Sequence, residues 1–439
     1  MNEPDRSGPL YRFIRSATKI EANEISATVL SFLFIFALML AYNILKPVRD
    51  SMAPDWSDVE LARLWTYNFI FSAAAVSLYG FAVSRLRLKY LVPGVYGFFA
   101  TSFVLFYLGA RSLDDVGFVE KAFYLWISLF SLFHISVFWS LMSDLFSKTQ
   151  ALRLFAIIAS GASVGTIAGS AATLALAKVL GTMNLMLIAA VILVTIVPII
   201  GLLYGLKSTQ LQPGSGGPVN DQNVIVSGNP FAGFTEFVRN PFLLGIGVFI
   251  FLYTTIGSFA YFEIKNLLEN LDRDARAQIW AGINLTVNTL TIATAMFATG
   301  RIASRFGLAK TLALVPLIVA VGFLAVAVNP MLAVVVVSWV VLKAGNYAIT
   351  RPGREMLYTL VNREDRFKAK PVIDIVVYRG GDTLASWAFA GLTAAVGLGL
   401  GGVAAVGAVI AVVWAVVGFY LGRTYDRATA SAAISAAER

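Results

Sequence analysis

The sequence has no cysteine, a single histidine, and charged side chains at just 13% of its 439 positions. Without cysteine there can be no disulfide, thiolate metal site or cysteine nucleophile. Because the one histidine belongs to no cluster with aspartate or glutamate, we expect no enzymatic activity and no metal or other cofactor. The abundant residues are apolar, at 58% of the chain, which is typical of polytopic membrane proteins and leaves no room for a soluble domain.

Long apolar segments follow one another almost end to end along the chain. A segment of about twenty apolar residues is long enough to cross a bilayer as a helix. Twelve such spans are predicted, at 25–45, 61–84, 90–109, 119–146, 152–177, 183–206, 241–268, 277–299, 309–328, 331–361, 372–396 and 403–422. We therefore expect an all-α integral membrane protein of about twelve transmembrane helices, embedded in the lipid bilayer.

The segment at 207–240 separates the first six spans from the last six. It is rich in glycine, proline, serine and asparagine and lacks apolar periodicity, as a linker does. The basic turns SRLRLK at 84–89 and SRFGLAK at 304–310 hold the same place in the two parts. Residues 1–206 and 241–439 are therefore predicted to form two related six-helix halves, with a binding site between them near the membrane midplane.

Basic residues gather on one side of the predicted membrane. They precede the first span and follow the even-numbered spans, whereas acidic groups at 55–60 and 269–274 lie on the opposite side. This bias predicts that both termini are cytoplasmic. It also accounts for the net charge of +9 without a nucleic-acid partner, because the bases flank apolar spans. No signal peptide is expected, since the first apolar run begins near Ile25 and is long enough to span.

The stretch from Lys343 to Asp382 places charge inside the predicted spans. Lys343, Tyr347 and Arg351 recur at four-residue steps and Arg354 follows, so on a helix they form one polar stripe. Ionisable groups in a span cost several kcal/mol and usually face a water-filled cavity, a partner or a substrate. An excess of bases suits a multiply charged anion, and arginine offers forked donors that match phosphate oxygens.

Charged residues in other spans extend this set. The candidate substrate-binding residues are Lys46, Arg49, Asp144, Glu263, Lys343, Tyr347, Arg351, Arg354, Lys370, Asp374 and Arg379. The alternative is that each base has a structural role and is paired with a nearby acid. Four pairs would satisfy this alternative: Arg49 with Asp50, Arg354 with Glu355, Lys370 with Asp374, and Arg379 with Asp382.

Two further signals each allow two interpretations. Gly161, Gly165 and Gly169 resemble a phosphate-binding loop, but no GK[ST] ending follows, and small residues at every fourth position favour close helix packing. His134 could relay protons, yet it lies among aromatic residues, where a lone histidine more often hydrogen-bonds a neighbouring helix. We favour the structural interpretation for both.

Several motifs resemble those of one known family. These are YNILKPVRDSM at 42–52, SDLFSKTQALRLFAIIASGASVG at 143–165, YFEIKNLL at 261–268, KAGNYAITRPGREMLY at 343–358 and KAKPVID at 368–374. They resemble the ATP/ADP antiporters of plastids and obligate intracellular bacteria, and the likeness covers nearly the whole chain in order. The resemblance implies a major-facilitator-like 6+6 bundle that exchanges nucleotides without hydrolysing them.

The resemblance also implies roles for individual positions. Arg49, Asp144, Glu263 and Lys370 fall on charged positions that the family uses for transport. The family generally has lysine at position 49 and glutamate at 144, and often has lysine where this chain has Asp382. A divergent bacterial member is therefore expected, whose substrate is a nucleotide or another phosphorylated anion.

The expected protein is a secondary transporter that works by alternating access around a basic cavity. We expect it to be a monomer in the cell inner membrane. The alternative is a proton-coupled exporter or flippase of an amphipathic lipid or drug, which would need a largely apolar cavity with a lateral opening. A membrane scaffold that transports nothing would leave the charges inside the spans unexplained.

Overall fold

The structure is a computed structural model of the chain. It describes residues 20–437 except 22, 86–87, 114, 210, 212–231, 298, 363–364, 366–368 and 371. The α-helices of these residues are α1 (Ile25–Met52), α2 (Asp58–Arg85), α3 (Leu88–Ser112), α4 (Val116–Leu145), α5 (Lys148–Leu180), α6 (Leu185–Thr209), α7 (Ala232–Arg239), α8 (Pro241–Leu267), α9 (Arg273–Phe297), α10 (Thr299–Val328), α11 (Leu332–Gly345), α12 (Arg351–Leu357), α13 (Tyr378–Ala390) and α14 (Leu400–Ala437).

Short wider or tighter turns interrupt the helices. Three π-helical turns lie at Asn346–Thr350, Val372–Val377 and Gly391–Ala395. The tenth predicted span is therefore α11, a π turn and α12, and the eleventh is α13 with a π turn at each end. The 3-10 turns lie at Ala53–Asp55, Thr182–Asn184 and Tyr358–Leu360.

Each predicted span coincides with a helix or with one of these helical runs. Within the described ranges, nine helices are long and apolar enough to cross a membrane. The predicted spans at 61–84, 277–299 and 372–396 are also helical, although they are not among the nine. No β-strand occurs in the described part of the chain.

Local sequence signals explain several helix ends. Ser147 and Gln150 form a reciprocal capping box at the start of α5, and this arrangement satisfies two backbone N–H groups that the helix cannot. Asn240 caps α8 with Pro241 in the first turn, where a missing N–H costs nothing. Gly181 ends α5 with φ 82°, a conformation that disfavours residues with a Cβ.

The chain folds as two compact units. The described residues of unit 1 fall within Met1–Ser51, Phe71–Val226 and Arg273–Gly282, and those of unit 2 within Met52–Ile70, Ser227–Asp272 and Ile283–Arg439. Unit 1 thus includes the start of α9, and unit 2 includes the start of α2. The division into halves at 207–240 remains a prediction, because most of that segment lies outside the described residues; its last residues form α7.

In unit 1, glycines bring α5 against α1. A Cβ added at Gly161 would lie 2.7 Å from the Phe32 carbonyl oxygen, and one added at Gly169 would lie 2.5 Å from the Leu40 carbonyl oxygen. Gly165, between them, faces the backbone of Phe36 in the same way. Close helix packing is therefore confirmed for this motif, and there is no space at it for a phosphate group.

In unit 2, α10 and α14 pack along most of their length. Cβ atoms added at Gly401 and Gly418 of α14 would lie 2.8 Å from the Ala327 carbonyl oxygen and 2.9 Å from the Leu312 carbonyl oxygen of α10. Near the other end of this contact, Gly307 breaks the helical backbone of α10 with φ 73°. The Asp426 carboxylate of α14 accepts hydrogen bonds from the N–H groups of the next two residues, Leu308 and Ala309, at 3.0 and 3.1 Å.

Candidate substrate-binding site

The end of the tenth span and the start of the eleventh form an ion-pair network in unit 2. Lys370 Nζ lies 2.5 Å from Glu355 Oε2. Arg354 Nη2 lies 3.2 Å from the other oxygen of Glu355 and 3.4 Å from Asp374 Oδ1. Arg354 is nearly buried, at 9% exposure, so its charge is held inside the protein by two carboxylates.

One of the ion pairs that the sequence predicted is wrong. The Arg354–Glu355 pair is present, but Lys370 binds Glu355 instead of Asp374. The expected pair assumed that residues four apart share a face, as they do in an α-helix. The π turn at Val372–Val377 widens the helix at this point, so that spacing no longer stacks the two side chains.

A second group of polar residues surrounds Lys343 of α11. The Lys343 ammonium lies 4.5 Å from the ring centre of Trp339 and 5.2 Å from that of Tyr253. It also lies 3.4 Å from the Tyr253 hydroxyl. Aromatic faces attract a cation, and this attraction is larger where water is excluded. Lys343 is therefore held in place by α8 and by its own helix.

Residues of α13 complete this second group. The ring of Tyr378 lies 6.2 Å from that of Tyr253. The Asp382 carboxylate interacts electrostatically with both Arg379 and Lys343. The two side chains of the expected Arg379–Asp382 pair form no direct ion pair in the structure, so this pairing stays a prediction. Close packing brings α13 here, because Gly381 leaves space for Thr254 of α8: a Cβ at Gly381 would lie 3.3 Å from the Phe251 ring.

The polar stripe of the tenth span is interrupted at its middle. The π turn at Asn346–Thr350 lies between Lys343 and Arg351. Tyr347 and Arg351 are exposed, with Tyr347 at 44%, whereas Arg354 is buried. The stripe predicted for a regular α-helix is therefore divided into the two groups described above.

Arg49 forms a separate polar cluster in unit 1. Its guanidinium donates to Asp50 Oδ1 at 2.5 and 2.9 Å and to the Ser128 hydroxyl at 3.2 Å. It also lies 5.1 Å from the ring centre of Tyr124. The expected Arg49–Asp50 pair is present, and Lys46 lies one turn earlier on α1, half-buried.

Asp144 lies apart from the Arg49 cluster. It is in the last turn of α4 and pairs with Lys207 of α6 at 3.0 Å, with both side chains more than a third exposed. Ser128, which contacts Arg49, is sixteen residues earlier on the same helix. At about 1.5 Å per residue this is roughly 24 Å along the axis. The structure does not bring Asp144 to the other candidates.

Glu263 lies apart from the two basic groups of unit 2. It is fully buried near the end of α8, and neither carboxylate oxygen has a hydrogen-bond partner among the described residues. Tyr253, which contacts Lys343, is ten residues earlier, or roughly 15 Å along the helix axis. The nearby charged pair is Asp58 with Lys265, whose Nζ–Oδ1 distance is 3.2 Å.

Sequence reasoning did not identify Tyr253, Tyr378 or Asp58. Tyr253 and Tyr378 lie in apolar surroundings, where an aromatic residue is by default part of the core. Asp58 resembled an ordinary acidic residue outside the membrane. A local signal existed only for Trp339, which precedes Lys343 by four residues and therefore lies on the same face of α11.

The surroundings of His134 agree with the structural interpretation, but its hydrogen-bond partner is not the expected one. Its Nδ1 lies 3.2 Å from the Phe130 carbonyl oxygen, one turn earlier on its own helix, rather than on a neighbouring helix as expected. Its ring lies 4.4 Å from that of Tyr42. The neighbouring helix α3 contributes a different bond, because the Tyr96 hydroxyl donates to the His134 carbonyl oxygen.

Comparison with known proteins reveals the fold but no family. No protein-family model matches the chain, and no curated protein matches it. A bacterial homologue of the human lysosomal transporter Spinster is 14% identical, with 93% of this chain and 98% of that chain covered and a TM-score of 0.60. The nucleoside transporter NupG is also 14% identical, with coverage of 92% and 99% and a TM-score of 0.60. A POT family transporter in complex with 5-aminolevulinic acid is 10% identical, with coverage of 90% and 96% and a TM-score of 0.63.

These likenesses extend over nearly the full length of each chain. Together with the helices described above, they show that this chain is an all-α, multi-pass membrane protein with the fold of major-facilitator-type transporters. The expected fold class is confirmed. At these identities the likeness concerns the fold alone.

Proposed function

We propose that this protein is a secondary transporter that carries nucleotides, or a related phosphorylated anion, across the membrane by alternating access. The observation that carries the proposal is an excess of positive charge among membrane helices of unit 2. Five bases, Lys343, Arg351, Arg354, Lys370 and Arg379, accompany three carboxylates, Glu355, Asp374 and Asp382. A bound anion would neutralise the remaining two charges.

The chemistry of these groups fits a phosphate ester. Arginine donates two parallel hydrogen bonds to phosphate oxygens, and lysine adds a point charge. The carboxylates of Glu355 and Asp374 hold Arg354 and Lys370 in place and would be partly displaced by a bound phosphate. The aromatic residues around Lys343 offer flat apolar surfaces suited to a nucleobase.

Two other lines support a nucleotide as the transported anion. The motifs at 42–52, 143–165 and 343–374 resemble those of ATP/ADP antiporters. The nucleoside transporter NupG is among the proteins with the same fold. We accordingly propose nucleotide exchange without hydrolysis, by a monomer in the cell inner membrane with both termini cytoplasmic.

The alternative substrate, an amphipathic lipid or drug, fits the site less well. Such a molecule would need a largely apolar binding surface, whereas the described side chains here are charged or aromatic and paired with one another. The charge excess therefore favours an anion.

Uptake into liposomes tests the proposal. Purified protein is reconstituted with or without internal ADP, and uptake of labelled ATP is followed in the presence of competing nucleotides, sugar phosphates and inorganic phosphate. We expect saturable uptake that phosphorylated competitors reduce and that internal nucleotide accelerates. Absence of nucleotide uptake, combined with transport of a lipid or dye by the same preparation, would refute the proposal in favour of the alternative.

A further inference from the structure

Glu263 is the most completely buried of the candidate charged residues. It has 0% exposure on α8. Both of its oxygens lack a hydrogen-bond partner among the described residues. An ionised carboxylate in such a place would lose its hydration without compensation, which is unfavourable in free energy. A protonated carboxyl group avoids most of this cost.

The charged groups around Glu263 do not compensate a negative charge. The charged group that interacts electrostatically with Glu263 is the carboxylate of Asp58 on α2, which is of the same sign. Lys265, on the same helix, is already engaged by Asp58 Oδ1 at 3.2 Å and by the Asn266 side chain at 2.9 Å. The Thr393 hydroxyl donates to the other oxygen of Asp58 at 3.0 Å.

The other charged residues on neighbouring helices lie further along α8. Asp382 of α13 lies by Ser258, five residues or roughly 8 Å along the axis from Glu263. Arg379 and Lys343 belong to the group around Tyr253, roughly 15 Å away. They are engaged with Asp382 and with aromatic rings. Glu263 is therefore isolated from the bases that would bind an anion.

A cavity lies beside the end of α8 that follows Glu263. It has a volume of about 420 Å³ and is lined by Asp58, Lys265, Asn266, Glu269 and Thr393, among others. Asp58 thus borders the cavity and interacts electrostatically with Glu263. The Asp58 carboxylate accepts hydrogen bonds from Lys265, Asn266 and Thr393, so it is held in position at the wall of this cavity.

We infer that Glu263 is a proton-binding site of this carrier and that its proton moves with transport. In the conformation described here the carboxyl group of Glu263 is protonated, with an O–H bond on one of its two oxygens. When the helices reorient and water reaches the group from the opposite side, the O–H bond breaks and the proton passes to water. One proton crosses the membrane for each such cycle, whereas exchange of one nucleotide for another requires no net proton movement.

This inference rests on the transport part of the proposed function but not on the identity of the substrate. Infrared spectroscopy therefore tests it first, because it needs no substrate. The carbonyl stretch of a protonated carboxyl group is distinct from that of a carboxylate. We expect wild-type protein at neutral pH to show such a band and Glu263→Gln to lack it. Glutamine has the shape and neutrality of the protonated side chain, so the variant should keep the fold.

Glu120 provides a matched control. It is a buried glutamate of α4, but it is ion-paired with Arg273. Glu120→Gln should leave the protonated-carboxyl band unchanged. A band that persists in Glu263→Gln, or that is absent from wild-type protein, would overturn the inference.

Liposomes then test whether the proton moves. With ATP as the probe, an imposed pH gradient should drive net uptake by wild-type protein into liposomes without internal nucleotide. Glu263→Gln should lose this stimulation, whereas Glu120→Gln should keep it. Net uptake that ignores the pH gradient, or that follows a sodium gradient instead, would refute proton coupling. If wild-type protein takes up no nucleotide at all, the proposed substrate fails, and the infrared band alone decides the role of Glu263.

Discussion

Arg49 and Asp50 are adjacent in the sequence and partners in space. Asp50 is buried in unit 1 and Arg49 is half-buried, with side-chain exposures of 2% and 15%. Removing one member of a buried pair costs about 3–5 kcal/mol, mostly because the other charge loses its partner. A loss of transport in Arg49→Ala therefore has two possible causes, lost substrate binding and a destabilised Asp50.

A double-mutant cycle distinguishes these two causes. We expect Arg49→Ala to abolish nucleotide uptake while the protein still inserts in the membrane. Arg49→Ala combined with Asp50→Asn should recover part of the lost thermal stability, because the carboxylate that loses the arginine is replaced by a neutral amide, but the double variant should stay inactive. Recovery of uptake in the double variant would show that Arg49 only balances Asp50 and does not bind substrate.

Lys370 tests the phosphate-binding role in unit 2. Lys370→Gln removes the charge that pairs with Glu355. A hydrogen bond to a charged group contributes about 1.5–3 kcal/mol, so the half-saturating nucleotide concentration should rise roughly ten- to a hundredfold. Lys207→Gln is the control, since the exposed Lys207–Asp144 pair contributes about 0–1 kcal/mol. Equal effects of the two substitutions on apparent affinity would contradict a specific role for Lys370.

The sequence predicted which residues carry charge inside the spans, because a lysine or arginine in an apolar segment is visible without a structure. It predicted partners only where they are adjacent or on a regular helix, as for Arg49 and Arg354. The Lys265–Asp58 pair joins residues 207 positions apart, and no local pattern reports such a contact.

At the scale of helices, glycine determines how closely α1 and α5 approach. Gly165→Ala should destabilise the protein by about 1–3 kcal/mol, because its Cβ would overlap the backbone of Phe36 and over-packing forces the helices apart. Gly201→Ala in α6 is a matched control, since no atom lies within 4 Å of its added Cβ. Thermal unfolding in detergent measures both variants. A Gly165→Ala transition as high as that of Gly201→Ala would refute the packing account.

The Asp426 carboxylate fixes the turn before the regular part of α10. It accepts hydrogen bonds from the N–H groups of Leu308 and Ala309, as an N-cap side chain does. Asp426 itself belongs to α14, which is more than a hundred residues away in the sequence. Asp426→Ala should cost about 0.5–2 kcal/mol, and Asp426→Asn should cost less because its amide oxygen still accepts a hydrogen bond. Thermal unfolding of the two variants should show this order; the reverse order would contradict a capping role.

The π turns could not be predicted from hydropathy. Apolar periodicity locates a span and its buried face, but one extra residue in a turn changes the pattern too little to be seen. Its effect on side chains is large, because residues beyond the turn rotate around the axis. Lys370 therefore meets Glu355 rather than Asp374, although the span itself lies where it was expected.

The absence of cysteine makes the orientation of the whole molecule testable. Single cysteines introduced by Glu438→Cys and Leu113→Cys can be labelled with a membrane-impermeant maleimide in intact cells and in inverted vesicles. We expect Glu438→Cys to react only in inverted vesicles and Leu113→Cys only in intact cells. The opposite pattern would reverse the predicted orientation, and cysteine-free wild-type protein provides the background.

The sequence by itself determined that this is a membrane protein, where its helices lie and which of them carry charge. These properties follow from local composition, because each span must be apolar whatever it packs against. Only the tertiary structure decided which charges meet. Asp144 lies apart from the Arg49 cluster and Glu263 lies apart from the two basic groups of unit 2, whereas Tyr253 and Asp58 contact residues far away in the sequence. Such contacts depend on which helix faces pack together and on turns of irregular geometry, and neither is encoded in a short stretch of sequence.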